Sequence, residues 1–490
     1  MDFVSMGMII IGPPLQDILG GAGTYATVGA RLFCRGDASI RVGFVVHAGN
    51  ELSQKLRDEI ASWKSGTHIV ETPNRMTTRG KNVYADGIRH FEFCTPKIQV
   101  EPSMLPELYL TARTYHLICT PARCIELVKE LLAKREELVA SIPSLSEKPI
   151  FVWEPMEHSC RPSERMSFYE ALKHVDVFSP NQDEMQALFA DLPNANLKDL
   201  GQGGALIDPH TFEVSPFGLY LRLKANGFGD KTCALVLRQA ERGCTVCSAN
   251  RQFRVPAYHR AFTDLSPEEQ DQWVNKIIDV TGGGNAFLGG FCIGLGLMSR
   301  WREKDPSSSL SDFEGAAFYG TVAASFAIEQ IGMPKVTYKD SDGTELWNGD
   351  LPSDRMSTML SRVRKQAATQ PVSLAFNPET LGELTETCRT ETSGSSIALR
   401  NSKQPSENDA EELNKRLARS LQQTTAIEEN IKLPDKLPQS SLKYNNSTPC
   451  ARTPQGSCWY FDGLITVRAS AMAYVEGQAA IESIKQRVSR

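Results

Sequence analysis

Short runs that are apolar almost throughout recur along the first three quarters of this chain, with helix-like stretches between several of them. Residues 41–46 (RVGFVV), 67–70 (THIV), 115–120 (YHLICT), 150–153 (IFVW), 175–180 (VDVFSP) and 233–237 (CALVL) read as strands. A strand with no polar face has no side to turn to water, so it belongs in a sheet covered on both faces. Strands separated by helices pair in parallel. The pattern therefore predicts an α/β fold around a mostly parallel central sheet. Residues 8–12 (MIIIG) read as the first strand, followed by a loop and a helix over 20–33. Further helices are expected over 123–138, 183–192, 283–300, 312–331 and 356–367, and a small hairpin projecting from the sheet over 75–84.

Single cores stop growing at roughly 250 to 300 residues, so a chain of 490 residues needs a boundary somewhere. Composition places it near residue 368, where Ser, Thr, Asn, Gln, Glu and Lys take over and aromatics become few. Residues 1–367 are expected to form the α/β domain, 368–455 a polar, disordered linker or tail, and 456–490 a short apolar segment too small for its own core. Within the tail, 407–430 has the composition of a charged helix. Lys plus Arg number 53 and Asp plus Glu 58, a net charge of −5, which gives no general attraction to nucleic acid or to an anionic membrane. The apolar stretch 286–298 is far shorter than the roughly 20 residues that span a bilayer. The 12 cysteines are diluted along the chain and the amino terminus lacks a basic signal region, so a cytoplasmic protein with reduced thiols is expected.

The sharpest motif is DVTGGGNAF, residues 279–287, lying between strand-like 277–279 (IID) and an apolar helix. Three glycines at a helix start let backbone N–H groups converge without Cβ atoms in the way, and the helix dipole adds positive potential there. Gly282, Gly283 and Gly284 thus make a candidate anion hole; tight strand-to-helix packing is the alternative use of the same residues.

This segment resembles the second signature of the PfkB-type (ribokinase-like) carbohydrate kinases, D-T-x-G-A-G-D-x-F. Other stretches resemble the family's elements in the family's order. Gly12 to Asp17 resembles its first strand and substrate-gripping Asp, and Gly20-Gly21-Ala22-Gly23 its double-glycine sugar loop. Residues 43–51 (GFVVHAGNE) resemble the next strand and turn, Pro180 to Glu184 the P-N-x-x-E element, and residues 237–243 the loop that lines the nucleotide. The resemblance spans roughly residues 8 to 365 and is closest to a divergent fungal branch related to the maintenance-of-killer proteins.

The resemblance implies a ribokinase-like fold with a small β lid, ATP and Mg²⁺ as cofactors, and phosphoryl transfer to a hydroxyl of a small sugar or nucleoside. The acceptor would lie near Asp17, Gly20, Gly21 and Tyr25, with ATP near Arg238, Gly243 and Asn181, and Mg²⁺ arranged through water by Glu184. At the family's catalytic-base position stands Asn285. An amide has no useful basicity, so it can orient a hydroxyl but cannot take its proton. General-base catalysis typically contributes about 10²- to 10⁴-fold. A slow kinase that relies on positioning and electrostatics is one reading, and an inactive pseudokinase that scaffolds or regulates is the other. A homodimer through the lid and a protein partner on the tail are compatible with either.

Several roles stay open at this level. Tyr25 stands where the family often has Asn, and Arg238 where it usually has Thr; Arg238 reads equally as a phosphate fork or as a solvated charge. Asp17 is a substrate ligand or a turn residue. Asn181 and Glu184 also have capping-box spacing. Glu154 and Glu157 fall near the expected cleft without an assigned role. Cys244 and Cys247 have the spacing of half a metal clip and no second pair, which favours structural thiols. The eight histidines form no zinc-hydrolase pattern, and neither a P-loop nor a nucleophile elbow occurs.

Overall fold

The computed structural model describes residues 1–369, apart from 13–16, 86–87, 192–215, 230–232, 249–250, 260–274, 305–310, 340 and 342. Strand β1 (Phe3–Ser5) leads through a two-stranded ribbon, β2 (Ile10–Ile11) with β3 (Leu19–Gly20), into helix α1 (Ala22–Arg31). There follow β4 (Val42–Gly49), α2 (Gln54–Ser62), β5 (Gly66–Thr72) and the hairpin β6 (Gly80–Ala85) with β7 (Ile88–Phe93). Next come β8 (Thr114–Cys119), α3 (Pro121–Val139), β9 (Ile150–Pro155), α4 (Arg165–Leu172), β10 (Val177–Phe178), α5 (Gln182–Leu188) and α6 (Pro216–Ala225). The chain continues through β11 (Ala234–Arg238), β12 (Cys244–Ser248) and β13 (Arg251–Val255) to α7 (Gly283–Lys304) and α8 (Asp312–Ala327). A small hairpin, β14 (Val336–Tyr338) with β15 (Glu345–Trp347), precedes α9 (Pro352–Thr369).

Nine strands form the central sheet in the order β13-β12-β11-β10-β9-β8-β1-β4-β5. Every pairing from β11 to β5 is parallel, and only the β11-β12-β13 edge is antiparallel. The apolar strands bury both faces. Phe3, Phe44, Val46, Val152, Val177 and Val236 enter a core with α1, α7, α8 and α9. Their neighbours Val4, Val45, Phe151, Trp153, Phe178 and Leu237 enter a second core with α3 to α6. The period of two along each strand divides one apolar run between two cores.

Helices α1 and α7 approach backbone to backbone. A Cβ on Gly289 would lie 1.8 Å from the Ala26 carbonyl oxygen, and one on Gly29 would lie 2.2 Å from that of Ala286. The small residues of α7 therefore serve close packing as well as the motif at its start.

The fold is the expected α/β, ribokinase-like arrangement, with the β6–β7 hairpin as its small two-stranded lid. Three local expectations need correction. The first strand of the sheet is β1 rather than residues 8–12: Phe3 to Ser5 pair on both sides, with β4 and β8, whereas only Ile10 and Ile11 extend, against β3. Residues 277–279 form no strand, because the Ile278 and Asp279 N–H groups donate to the Ile328 carbonyl just past α8, at 2.9 and 3.2 Å. The lid hairpin starts at Gly80, five residues later than expected. The expectations for the tail and the apolar segment, 370–490, lie outside the described residues.

Candidate functional site

The parallel strands end together at one edge of the sheet, and the glycine motif meets them there. In an open parallel α/β sheet this carboxyl edge is where ligands bind. Gly282 has φ +79°, a conformation that favours glycine, and a Cβ on it would strike the Tyr25 ring at 2.3 Å. The turn places Gly283 at the first position of the 22-residue helix α7, with its positive dipole end facing the strand termini.

Asn285 donates from Nδ2 to Oε2 of Glu154 at 2.7 Å. Glu154 is the polar residue near the end of β9, a strand anchored by Trp153, whose indole packs on Phe168 and Phe178 and donates to the Cys119 carbonyl at 3.0 Å. The same Oε2 lies 3.1 Å from Nε2 of His116 on β8, and Nδ1 of His116 lies 3.4 Å from the Ser5 hydroxyl at the end of β1. Glu154 Oε1 meets Arg238 Nη1 at 2.9 Å. Burial works against charge on Glu154, but Arg238, His116 and Asn285 outweigh it and hold its carboxyl below the usual range. Glu154 is therefore an anion at neutral pH with its two oxygens facing three partners.

Arg238 closes β11. Its Nη2 donates to the Ser179 carbonyl at 2.9 Å and stands 3.6 Å from Glu184 Oε2. Its Nε is buried without a partner, and a Cβ on Gly284 would come within 2.4 Å of Nη1. Of the two roles open from sequence, the solvated charge is excluded: the side chain is 11% exposed and sits beneath the glycine corner.

Asn181 and Glu184 form a complete capping box on α5. The Asn181 N–H donates to Glu184 Oε2 at 2.7 Å, and the Glu184 N–H donates to Asn181 Oδ1 at 2.8 Å. Burial raises the Glu184 carboxyl to about 7, against the pull of Arg238, with Glu154 adding to the rise. Asn285, Glu154, Arg238, Glu184 and Asn181 thus form one continuous chain of contacts.

The other candidates lie elsewhere. Asp17, in the left-handed region at φ +41°, accepts from Arg79 Nη1 and Nη2 at 3.1 and 3.0 Å. Arg79 also donates from Nε to Glu51 at 3.2 Å and from Nη1 to the Gly12 carbonyl at 2.8 Å. Gly20 pairs with Ile10 in the β2–β3 ribbon, and Gly21 takes φ +91° beside it. Tyr25 is 3% exposed and packs against Gly282. Gly243, at φ +84°, lies in the β11–β12 turn, its carbonyl accepting from Gln239 at 2.7 Å. Glu157 is exposed beyond β9, so Glu154 alone of that pair reaches the corner. Cys244 and Cys247 lie on β12 as buried thiols, and burial raises both, Cys244 to about 12.

His116, Ser5, Ser179 and Arg79 were not singled out from sequence. His116 and Ser5 carried a usable signal: each is a polar side chain inside a run that otherwise largely fills a core.

Arg238, with its unpartnered Nε, and the cradle at Gly282–Gly284 that side chains would fill suit a phosphate. For a divalent cation, no group of three or more His, Cys, Asp or Glu side chains occurs among the described residues. Glu184, with Oε2 held by the Asn181 N–H, is a carboxylate beside Arg238 that would reach a divalent cation through water when ionised. No helix among the described residues is long and apolar enough to cross a membrane.

The parallel sheet, the lid and the glycine corner define a PfkB-type, ribokinase-like protein. An uncharacterized protein of Schizosaccharomyces pombe is 30% identical over 368 residues, spanning 73% of this chain and 92% of that protein. The MAK32 protein of Saccharomyces cerevisiae is 27% identical over 369 residues, spanning 71% of this chain and 86% of its own length. This chain belongs to one family with these two fungal proteins. No family model matches it. Among solved structures, ribokinase from Giardia lamblia is 16% identical with a TM-score of 0.46, over 68% of this chain and 93% of that one. Fructokinase with bound ATP from Xylella fastidiosa is 17% identical with a TM-score of 0.46, over 74% and 99%.

Proposed function

We propose that this protein is an ATP- and Mg²⁺-dependent kinase of a small hydroxylated acceptor, a sugar or a nucleoside, that works without a general base. The observation that carries this reading is the glycine corner: three glycines at the start of a long helix, with Arg238 beneath them and Asn285 beside them, at the carboxyl edge of a parallel sheet. ATP, when bound, supplies the phosphoryl group, and Mg²⁺ offsets its charge. The Gly283 N–H is spent on the Val280 carbonyl at 3.2 Å, so the backbone N–H groups of Gly282 and Gly284 and the Arg238 guanidinium hold developing negative charge. Glu184 would hold a water on the metal, and Asn181 fixes Glu184. Asn285 keeps its Oδ1 for the acceptor hydroxyl while its Nδ2 is tied to Glu154, so it orients the hydroxyl; as the O–P bond forms and ADP leaves, the hydroxyl proton passes to solvent or to an oxygen of the transferred phosphoryl group.

One observation favours the pseudokinase alternative. The single carboxylate in contact with Asn285 is a poor base, because Glu154 is held below its usual range and surrounded by Arg238, His116 and Asn285.

The test is phosphate transfer from ATP across a panel of sugars and nucleosides, comparing native protein with the exchange variant Asn285→Asp/Glu154→Gln. The exchange moves the carboxylate onto the helix and keeps an amide–carboxylate hydrogen bond. Transfer by the native protein well above background supports the kinase. Silence in the native protein with activity in the exchange variant supports a kinase pocket that has left catalysis. Absence of ATP-dependent transfer and of nucleotide binding in both would overturn the reading.

A further inference from the structure

His47 is a buried imidazole with no hydrogen bond. It lies on β4, 7% exposed, and neither Nδ1 nor Nε2 has a partner. Leaving such a group unpaired is costly, and native structures nearly always satisfy it. It borders a small compartment walled by Met8, Ile9, Val45, Thr78, Ile98 and Val100, with room for roughly one water-sized group. The compartment sits between the loop after β1 and the base of the lid hairpin.

Thr78 accepts from the Ile98 N–H at 3.1 Å, which leaves His47 as the polar group on these walls with both of its ring atoms uncommitted. Burial, with Arg75 and His68 nearby, lowers the imidazole below its ordinary value, so it is neutral at pH 7 and offers one donor and one acceptor.

We infer that this compartment is a recognition subsite for the acceptor, and that His47 reads one hydrogen-bonding edge of a nucleobase on a nucleoside. The inference rests on the kinase reading above and narrows its substrate class. A free sugar carries a hydroxyl on nearly every carbon, and walls of Met, Ile and Val would leave most of them unpaired, at a cost for each. A nucleobase presents a polar edge on an otherwise apolar, flat body. The compartment is water-sized, so it takes only the tip of such an edge.

Two measurements on the full chain test this. The first is the melting temperature of His47→Leu and His47→Phe without ligand. A histidine kept for recognition contributes no hydrogen bond to the fold, so Tm is expected to stay level or rise. A fall of several degrees in both variants means that His47 is structural, and overturns the subsite. The second is the Tm shift given by each of the four common ribonucleosides, and by ribose and fructose, with the nucleotide site filled by Mg²⁺·AMP-PNP. At least one nucleoside is expected to raise Tm in the native protein, and both variants are expected to lose at least tenfold in its affinity. Equal nucleoside binding in the variants, stabilisation by the free sugars alone, or no shift from any acceptor overturns the inference. Mg²⁺·AMP-PNP alone separates the two readings: its failure to bind sinks the kinase assignment on which the subsite rests, whereas AMP-PNP binding with no nucleoside effect sinks the subsite and leaves the kinase assignment standing.

Discussion

Two buried clusters in this protein contain the same four residue types and do different work. At the carboxyl edge of the sheet, Glu154 is met by Arg238 at 2.9 Å, His116 at 3.1 Å and Asn285 at 2.7 Å. Beside the end of α8, Glu329 is met by Arg355 at 2.7 Å, His259 at 3.2 Å and Asn348 at 3.0 Å. In the second cluster every guanidinium nitrogen is committed. Arg355 lies 3.7 Å over the Phe326 ring, bonds Ser325 at 3.0 Å and takes Asp350 as a second anion at 2.8 Å. In the first, Arg238 keeps Nε without a partner, faces the glycine corner and has a second carboxyl, Glu184, raised to about 7. Composition does not separate a staple from a ligand site; position relative to the strand ends and an uncommitted donor do.

The comparison breaks first at its arginines. Arg355→Leu strands Glu329 and Asp350 together and is expected to lose about 3 to 5 kcal/mol in urea unfolding, with no specific effect on nucleotide affinity in the protein that remains folded. Arg238→Leu is expected to lose less and to abolish nucleotide binding. Equal binding by both variants would erase the distinction.

Glu154 and Glu329 are both held down, and the opposite sign belongs to Glu184, the second carboxyl on Arg238. Glu329 is held down to about 2, its burial outweighed by His259 and Arg355. Its contribution, about 3 kcal/mol at most, is present above its unfolded value near 4.5 and fades as pH falls through 2. Glu184 is raised to about 7, so its contribution is present below 4.5 and fades as pH rises through 7. Unfolding at pH 4.5 and 8 should show Glu184→Gln gaining on the native protein at the higher pH, by up to about 3 kcal/mol. Parallel pH profiles for variant and native protein would contradict the burial of that carboxyl.

A smaller effect sharpens the ligand side. Asn285→Asp sets a carboxylate against Glu154 and is expected to cost about 2 kcal/mol at pH 7, most of it recovered in Asn285→Asp/Glu154→Gln. The smallest is Asn181→Ala, which removes the cap of α5 and is expected to cost about 1 kcal/mol.

Much of the fold was legible because strands apolar on both faces leave few alternatives, as in residues 150–153 and 233–237. Residues 8–12 misled for the same reason: Ile9 and Ile11 are buried, but burial does not require a place in the sheet. Residues 277–279 misled because apolar character alone cannot tell a strand from a segment that caps a neighbouring helix. At the site, the glycines, Asn285 and the capping box could be read from local spacing. The Glu154–Arg238 pair joins residues 84 positions apart, and Asn285 to Glu154 spans 131, separations that no local pattern encodes. Tyr25, a candidate ligand by resemblance, packs against Gly282, a contact between residues 257 positions apart that no local pattern encodes.

The most direct test of the glycine corner is the Tm shift produced by Mg²⁺·AMP-PNP in native protein and in Arg238→Leu. The account predicts a rise of several degrees in the native protein and none in the variant. An equal rise in both, or no rise in the native protein, would contradict it.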